Sequence, residues 1–244
     1  MSGTIVITAA THCELSLMLK CLGGRTVETA GGFPVWGSDI PSGRIVVAVT
    51  GMGKINAAAA TAVLCERFSP KMIINTGCAG AFPGGGLTVG DLALATMEVT
   101  ADEGVLTPTG WLSYQGIGVA AVERMGLRYF NEFPLSPAPA ERAVCLAAER
   151  GIALTRGKFL TVSTCSGTAE RGRELYTQFG APLCENMEGA AVAQVALRYG
   201  VESLELRGIS NLVEDRDLSR WNIPLAVERA QRFLLEFLTT HPKE

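Results

Sequence analysis

The sequence predicts an α/β fold, a single domain over residues 1–244 in which a mostly parallel central sheet is flanked by helices. Apolar runs rich in Val and Ile alternate along the chain with helical segments, beginning with TIVITAA at residues 4–10. Most of these runs are apolar throughout, which is typical of strands buried on both faces. With 48% hydrophobic residues among 244, the chain can build one substantial core.

The elements follow one another in chain order. Each predicted strand is a short β-branched or apolar run, and each predicted helix has apolar residues at helical spacing, with Gly151 and Gly200 as C-terminal stops. The predicted strands span 4–10, 33–40, 43–50, 71–77, 89–99, 158–165 and 201–210. The predicted helices span 14–22, 55–68, 138–151, 169–180, 187–200 and 223–238. Residues 101–135 have weak periodicity and several glycines, so we interpret them as a loop-rich insertion, a lid or a subunit contact.

Composition excludes several classes of function. A formal charge of −3 with 21 Lys and Arg residues provides no basic field for nucleic acid. No apolar run reaches the roughly 18 residues of a membrane span, and the first residues lack the cationic start of a secretory signal. Seven scattered cysteines favour a reducing, cytoplasmic environment, and with two histidines we expect no metal and no cofactor.

Polar residues occur where the predicted strands end. They are Glu14 and the segments TGCAG at 76–80, STCSG at 163–167, ENMEG at 185–189 and ISN at 209–211. In a parallel α/β sheet, ligands bind in the crevice at the carboxyl ends of the strands. The sequence therefore predicts one site assembled from these distant segments.

The glycines of VTGMGK at 49–54 have two interpretations. They lie between a strand and a helix, where backbone N–H groups attract phosphate. The spacings of the P-loop and of the dinucleotide fingerprint are both absent, however. We therefore favour a tight turn that lets helix and sheet pack closely.

Two carboxylates each have a structural and a functional interpretation. Glu14 is either a helix-start residue that complements the helix dipole or a functional acid at the mouth of the site, and its position leaves both open. Glu188 opens a helix of small and apolar residues. It is either a first-turn acid or a carboxylate that needs a ligand hydroxyl as its partner.

A covalent nucleophile is not expected. Cys165 and Ser166 are candidates by residue type, but a nucleophile needs a nearby base, and the positions of His12 and His241 in the chain are unsuitable. The charged run at 215–217 is interpreted as a solvated loop.

Several segments together carry a family resemblance. NMEGAAVAQVA, RGISN, GMGKINAAAA and NTGCAGAF, with an early Glu after the first strand, resemble the nucleoside phosphorylase and nucleosidase family over most of the chain. The G-x-G-K-x-x-A-A pattern is similar to its hydrolytic branch, which includes methylthioadenosine/adenosylhomocysteine nucleosidases. The resemblance implies a nucleoside phosphorylase-like fold, cleavage of a purine–ribose N-glycosidic bond with water as nucleophile, and a homo-oligomer in which a neighbour closes the pocket.

The resemblance also implies roles for individual residues. Glu14 matches the acid that activates the attacking water. Met187 and Glu188 match the pair that holds the ribose, with the carboxylate on its hydroxyls.

Further positions match the part of the family site that surrounds the base. Cys78, Ala79 and Gly80 match the loop beside sugar and base, where the family often has Ser in place of the Cys. Ser210 and Asn211 match the loop at the purine edge.

Asn211 departs from the pattern of the adenine-releasing nucleosidases, which have Asp at this position. An amide offers two donors and one carbonyl acceptor, so it can donate to O6 of a 6-oxopurine and accept from a protonated N7. Opposite adenine its NH₂ would face another donor, at a cost of about 1–3 kcal/mol. The sequence thus favours hypoxanthine as leaving base.

Three alternatives remain open from the sequence. A phosphorylase would need a cationic pocket, for which Arg44, Lys54 and Arg207 are the available residues. An adenine-specific nucleosidase is the second. A non-catalytic nucleoside-binding protein is the third, and the presence of both Glu14 and Glu188 argues against it.

Overall fold

The predicted α/β class is confirmed in the computed structural model, which describes residues 3–23, 25–40 and 43–240. Within these residues ten strands form one sheet and two further pairs form small hairpins. The strands are β1 Gly3–Ala9, β2 Arg25–Ala30, β3 Phe33–Ile40, β4 Gly43–Val49, β5 Met72–Ala81, β6 Leu92–Thr100, β7 Val105–Thr107, β8 Gly110–Leu112, β9 Val122–Arg124, β10 Leu127–Tyr129, β11 Glu132–Pro134, β12 Leu154–Thr161, β13 Cys184–Asn186 and β14 Glu202–Leu212. The α-helices are α1 Ser16–Leu22, α2 Lys54–Phe68, α3 Tyr114–Ile117, α4 Pro137–Arg150, α5 Ala169–Gln178, α6 Gly189–Tyr199 and α7 Ile223–Thr239.

The longest ladders of the sheet are parallel, as the sequence predicted, and antiparallel ladders complete it. Strands β4, β1, β5 and β14 pair in parallel, and so do β6, β12 and β13. The ladders of β2 with β3, β3 with β4, β6 with β11, β5 with β13 and β6 with β14 are antiparallel. Hairpin-like returns at the sheet edges account for part of the antiparallel pairing, because short turns can join only antiparallel neighbours.

Five strands form a closed circuit. β5 pairs with β14, β14 with β6, β6 with β12, β12 with β13, and β13 returns to β5. The circuit brings the carboxyl ends of β5, β13 and β14 together, although the ends of β5 and β14 are more than 100 residues apart in sequence. This closure positions the candidate site.

The two faces of the sheet pack against different helices. Ile5, Ile7 and Ile74 belong to a buried cluster with Phe233 of α7, whereas Val6 faces the opposite side with residues of α2 and α6. The alternation follows from the period of two along a strand. Alanines at the buried positions of α2 and α6 let these helices lie close to the sheet. No helix within the described ranges combines the length and apolarity needed to cross a bilayer.

Residues 101–135 are more ordered than predicted. They contain the hairpins β7–β8 and β9–β10, the short helix α3, and β11, which joins the main sheet beside β6. Asn131 fixes the segment, since its Nδ2 donates to the carbonyl oxygens of Thr100 at 3.2 Å and Glu103 at 2.8 Å. Strands of three residues are too short for their periodicity to be recognised in the sequence.

Two smaller predictions also need correction. Strand β2 was not predicted, because RTVETA has no apolar run and pairs only as an edge strand with β3. The predicted helix 14–22 begins at Ser16, and residues 12–14 form a separate 3₁₀ turn. Glu14 is therefore not a helix-start residue of α1.

Candidate active site

One cavity of about 320 Å³ lies at the carboxyl ends of the central strands. The eight residues singled out by sequence all line it, so the structure brings together every one of them. They are Glu14, Cys78, Ala79, Gly80, Met187, Glu188, Ser210 and Asn211. The roles assigned to them remain predictions.

Hydrogen bonds fix the carboxylate of Glu14 in the cavity. Its Oε2 accepts hydrogen bonds from Thr11 N at 2.9 Å and Thr11 Oγ1 at 2.7 Å, and its Oε1 accepts from Cys78 N at 3.1 Å. Gly77 allows this approach, because a side chain there would collide with the carboxylate and because its φ of 144° suits glycine. Both interpretations agree with the structure, because Glu14 closes a capping box with Thr11 at the start of the 3₁₀ turn and also lines the cavity.

Glu188 is held by the glycine turn before α2. Gly53 N, at the N-cap of that helix, donates to Glu188 Oε1 at 2.9 Å. The turn interpretation of GMGK thus agrees with the structure, and the exposed N–H binds an anion that belongs to the chain itself. Burial raises the pKa of Glu188, and the charge of Arg207 and this hydrogen bond oppose the shift.

Arg207 lies behind the two carboxylates and is 1% exposed. Its Nε donates to Glu205 Oε1 at 2.8 Å, its Nη1 donates to Cys78 O at 3.3 Å, and Nη1 lies 3.7 Å from Glu188 Oε2. Burial opposes its charge, but the neighbouring carboxylates outweigh burial and raise the pKa of Arg207 above its usual range. One buried cation therefore organises several acidic groups.

A second layer of buried acids supports this arrangement. Glu98 accepts hydrogen bonds from Thr161 Oγ1 at 2.6 Å and Asn186 Nδ2 at 2.7 Å. Its carboxyl group meets that of Glu205 over Gly189, where a side chain would collide with both. Burial and the charge of Glu205 raise the pKa of Glu98 well above its ordinary value. The raised pKa favours the protonated form of Glu98, and a proton on Glu98 would provide the hydrogen-bond donor that Glu205 Oε2 lacks.

Asn211 is oriented by its own neighbours in β14. Ser210 Oγ donates to Asn211 Oδ1 at 2.7 Å, and Asn211 Nδ2 donates to Leu212 O at 3.0 Å. These contacts fix which end of the amide is oxygen and which is nitrogen. One N–H and one lone pair remain for a ligand.

The thiols in the cavity are not activated. Burial raises the pKa of Cys78 to about 12 and the pKa of Cys165 to about 11. Both therefore remain protonated near neutral pH, and a protonated thiol is a weak nucleophile. His12 packs edge-on against Trp36, with ring centroids 6.1 Å apart. His241 lies outside the described residues.

The charged run at 215–217 is exposed, but each residue has a contact. Asp215 Oδ1 accepts from Ala169 N at 2.9 Å at the start of α5, and Asp217 Oδ1 accepts from Ser219 N at 3.0 Å. Arg216 stacks 4.7 Å from the ring centroid of Trp221. Both partners of this stack line the cavity, so the solvated-loop interpretation missed a contribution to the site.

Sequence analysis placed Glu185 in one of the polar segments of the predicted site, ENMEG, but assigned it no role. The structure shows it as a buried carboxylate of β13 that lines the cavity. Among the described residues, no group of three His, Cys, Asp or Glu side chains is arranged to hold a metal ion.

Comparison with known proteins agrees with this fold and site. The phosphorylase superfamily matches residues 4–239. A futalosine hydrolase of Thermus thermophilus is 36% identical over 189 residues, covering 78% of this chain and 79% of that protein. A 5'-methylthioadenosine/S-adenosylhomocysteine nucleosidase of Anoxybacillus flavithermus is 30% identical over 208 residues, covering 85% of each.

Solved structures share the fold across nearly the whole chain. The native futalosine hydrolase of Helicobacter pylori superposes with a TM-score of 0.83 at 22% identity, covering 98% of each chain. The S-adenosylhomocysteine nucleosidase of Streptococcus pyogenes, in complex with 5-methylthiotubericidin, has a TM-score of 0.84 at 25% identity, covering 99% of this chain and 98% of that one.

The fold and the acidic cavity are those of an α/β nucleosidase-like protein, and the chain belongs to the phosphorylase superfamily. The family resemblance inferred from the sequence is thereby confirmed. Futalosine hydrolases, which the segment 207–231 most resembles, are among its relatives.

Proposed function

We propose that the chain hydrolyses the N-glycosidic bond of futalosine and releases hypoxanthine and dehypoxanthine futalosine. This reaction is a step of the futalosine route to menaquinone. The observation that carries the proposal is the fixed carboxamide of Asn211 in a cavity that also holds Glu14 and Glu188. The relative at 36% identity supports the choice of substrate.

The reaction separates charge, and the two sides of the cavity suit the two fragments. Cleavage develops positive charge on the ribose and pushes electrons into the departing purine. Glu14 takes a proton from the attacking water, which is worth about 10²–10⁴-fold in rate. Glu188 accepts from the ribose hydroxyls and stabilises the developing cation.

Asn211 stabilises the departing base. Its remaining N–H donates to O6. As the glycosidic bond breaks, N7 takes up one proton from solvent, and the carbonyl oxygen of Asn211 accepts a hydrogen bond from N7–H. Glu14 releases to solvent the proton that it took from water, so hypoxanthine leaves as a neutral base and the protein returns to its starting state. The Ser210 hydrogen bond keeps the amide in the orientation that this pairing requires.

Charge argues for water rather than phosphate as nucleophile. Arg207, the cation behind the cavity, is already surrounded by the carboxylates of Glu14, Glu188 and Glu205. Each carboxylate about 5 Å from a phosphate charge would cost about 3 kcal/mol at an effective dielectric constant of 20.

The other two cationic candidates are engaged elsewhere. Lys54 pairs with Asp102 and Glu103, and Arg44 stacks on the ring of Phe68. The phosphorylase alternative is therefore disfavoured.

A phosphate-free assay tests the proposal. Purified protein is incubated with futalosine, aminofutalosine, inosine and methylthioadenosine, and the released base is identified by chromatography. We expect hypoxanthine from futalosine without added phosphate. Release that requires phosphate would indicate a phosphorylase, and binding of futalosine without release would indicate a binding protein.

A methylthioadenosine/adenosylhomocysteine nucleosidase is the second candidate, favoured by the relative that covers 85% of the chain at 30% identity. Its substrates carry adenine, whose amino group is a donor and would face another donor, the free N–H of Asn211. Adenine release faster than hypoxanthine release in the same assay would support this candidate.

We also propose a cytoplasmic homo-oligomer. Met52, which lines the cavity, is 65% exposed, and the large apolar side chains of Ile55 and Leu106 are 87% and 85% exposed. Lys54 links this part of α2 to residues 102–103, so these side chains belong to one region of the surface. Sedimentation of the purified protein tests it, and an Ile55→Asp variant that dissociates would place the contact on this region.

A further inference from the structure

Glu185 is a buried carboxylate of the cavity that the proposed mechanism does not use. It is 5% exposed and lines the same cavity as Asn211. A buried acid without a task in catalysis is costly unless its oxygens have donors. The hydrogen-bond donors around Glu185, and the acceptor capacity that they leave unused, indicate its role.

The sheet register places Glu185 and Asn211 on either side of one glycine. Gly80 of β5 is opposite Glu185 of β13 in one ladder and opposite Asn211 of β14 in the other. A bulge at Ser210 brings Asn211 into this register. Residues opposite each other on adjacent strands point to the same face, and adjacent strands lie about 4.8 Å apart.

Glycine at position 80 makes room for the Asn211 amide. A Cβ there would lie 3.0 Å from Asn211 Nδ2, so a larger residue would crowd the amide. Asn211 and Glu185 line the same cavity, and we call the part of the cavity between them the slot. The backbones of β13 and β14, which carry these two side chains, are about 10 Å apart, twice the strand spacing. A flat bicyclic base in this slot would have the carboxamide on one side and the carboxylate on the other.

Glu185 is aimed by neutral donors from a single residue. Ser166 N donates to Glu185 Oε1 at 2.8 Å, and Ser166 Oγ donates to Oε2 at 2.7 Å. Burial raises the pKa of Glu185, whereas the bonds from Ser166 and the charge of Arg171 oppose the shift. Each carboxylate oxygen keeps lone-pair capacity for a further donor.

The bases differ in what they offer at this position. A 6-oxopurine has O6 and N7 as neighbouring groups on one edge, with the N1–H donor on the other side of O6. Adenine has a lone pair at N1 in place of that donor. When an amide binds O6 and N7, N1 of the base therefore faces the group on the adjoining side of the slot.

We propose that Glu185 is a second specificity-determining residue, which accepts a hydrogen bond from N1–H of a 6-oxopurine whose O6 and N7 are held by Asn211. The inference rests on the proposed function, because it assumes that the slot over Gly80 holds the leaving base. A carboxylate facing N1 attracts the lactam base and repels the N1 lone pair of a 6-aminopurine. The two residues together recognise three consecutive polar groups of hypoxanthine.

The test compares hypoxanthine and adenine binding in wild type and Glu185→Gln by calorimetry. The variant is expected to bind hypoxanthine about 10- to 100-fold more weakly, because a charged acceptor is lost. It is also expected to bind adenine more tightly, because the glutamine NH₂ can donate to N1. A residue that only anchors the 163–167 loop would weaken both ligands together.

Two further variants separate the alternatives. Ser166→Ala removes the loop contact but keeps the carboxylate, so the preference for hypoxanthine over adenine is expected to persist. Glu174→Gln changes an exposed acid of α5 that pairs with Arg171, and both affinities are expected to remain as in wild type. An unchanged hypoxanthine-to-adenine ratio in Glu185→Gln would overturn the inference.

Turnover of futalosine, measured in parallel, separates this inference from the proposed function. If wild type releases hypoxanthine and Glu185→Gln retains the wild-type preference, the function stands and the inference fails. If wild type releases no base but prefers hypoxanthine, and Glu185→Gln reverses that preference, the inference stands and the hydrolase proposal fails. A wild type without any preference for hypoxanthine would contradict the inference directly.

Discussion

The sugar side and the base side of the cavity use different chemistry. On the sugar side, Glu14 and Glu188 surround the buried cation Arg207, and their charges suit a developing positive ribose. On the base side, a neutral amide and a carboxylate held by neutral donors face each other across Gly80. In the proposed mechanism, charge supplies rate on the sugar side, whereas the pattern of donors and acceptors supplies selectivity on the base side.

The largest expected effect is on the sugar side. Glu14→Gln keeps the shape of the side chain but removes the base that accepts the proton from water. Turnover of futalosine is expected to fall about 10²–10⁴-fold with an unchanged circular dichroism spectrum. Steady-state kinetics measures it, and turnover close to wild type would remove Glu14 from the mechanism.

Removal of the positive charge of Arg207 tests whether this side chain stabilises the buried carboxyl groups around it. Arg207→Met leaves several carboxyl groups buried without their counter-charge, so the free energy of unfolding is expected to fall by about 3–5 kcal/mol. Urea denaturation measures it. The matched control is Arg232→Met, an exposed arginine paired with Glu228, for which a change of about 1 kcal/mol at most is expected. Equal effects in the two variants would contradict the role of Arg207.

A base-side change is expected to alter selectivity more than rate. In Asn211→Asp, the new carboxylate faces Leu212 O, an acceptor that lies 3.0 Å from Asn211 Nδ2 in the wild type. When protonated, it has one O–H, which can donate either to Leu212 O or to N7, and its other oxygen can accept from the exocyclic amino group of an aminopurine. Selectivity is expected to shift about ten- to hundredfold toward aminofutalosine. Competition between the two nucleosides measures this shift, and an unchanged ratio would refute the role of the amide.

The smallest expected effect, counted per pH unit, is on the free energy of unfolding and concerns Glu98, in the second layer of buried acids. The folded-state pKa of Glu98 is raised by burial and by Glu205, so the stability that its proton provides is complete below the unfolded-state pKa and is lost as pH rises toward the folded-state pKa. Within that window the loss is at most about 1.4 kcal/mol per pH unit. The glutamine of Glu98→Gln cannot titrate. The free energy of unfolding of this variant relative to wild type is therefore expected to increase as pH rises from about 5 to about 9, the range over which unfolding is measured. Parallel curves for the two proteins would show that folding does not raise the pKa of Glu98 into this range, which contradicts the account.

Three key residues of the candidate site were predictable from sequence, because they interrupt local patterns. Glu14 and Glu188 are acids at the ends of apolar elements, and Asn211 ends a buried strand. The contacts that give these residues their properties were not predictable. The bond from Gly53 to Glu188 spans 135 residues, and the bond from Asn186 to Glu98 spans 88.

The base side depends still more on tertiary structure. Glu185 and Asn211 become neighbours only because β13 and β14 both pair with β5. No periodicity in the sequence encodes that closure, and the prediction of a mostly parallel sheet did not specify the antiparallel ladders within it. The fold class followed from local patterns, whereas the selectivity of the site follows from strand order.

A crystal structure with hypoxanthine bound tests the account most directly. The account predicts the base over Gly80, with O6 and N7 within hydrogen-bond distance of Asn211 and N1 facing Glu185. Hypoxanthine bound elsewhere in the cavity, or with the Asn211 amide turned away from the ring, would contradict it.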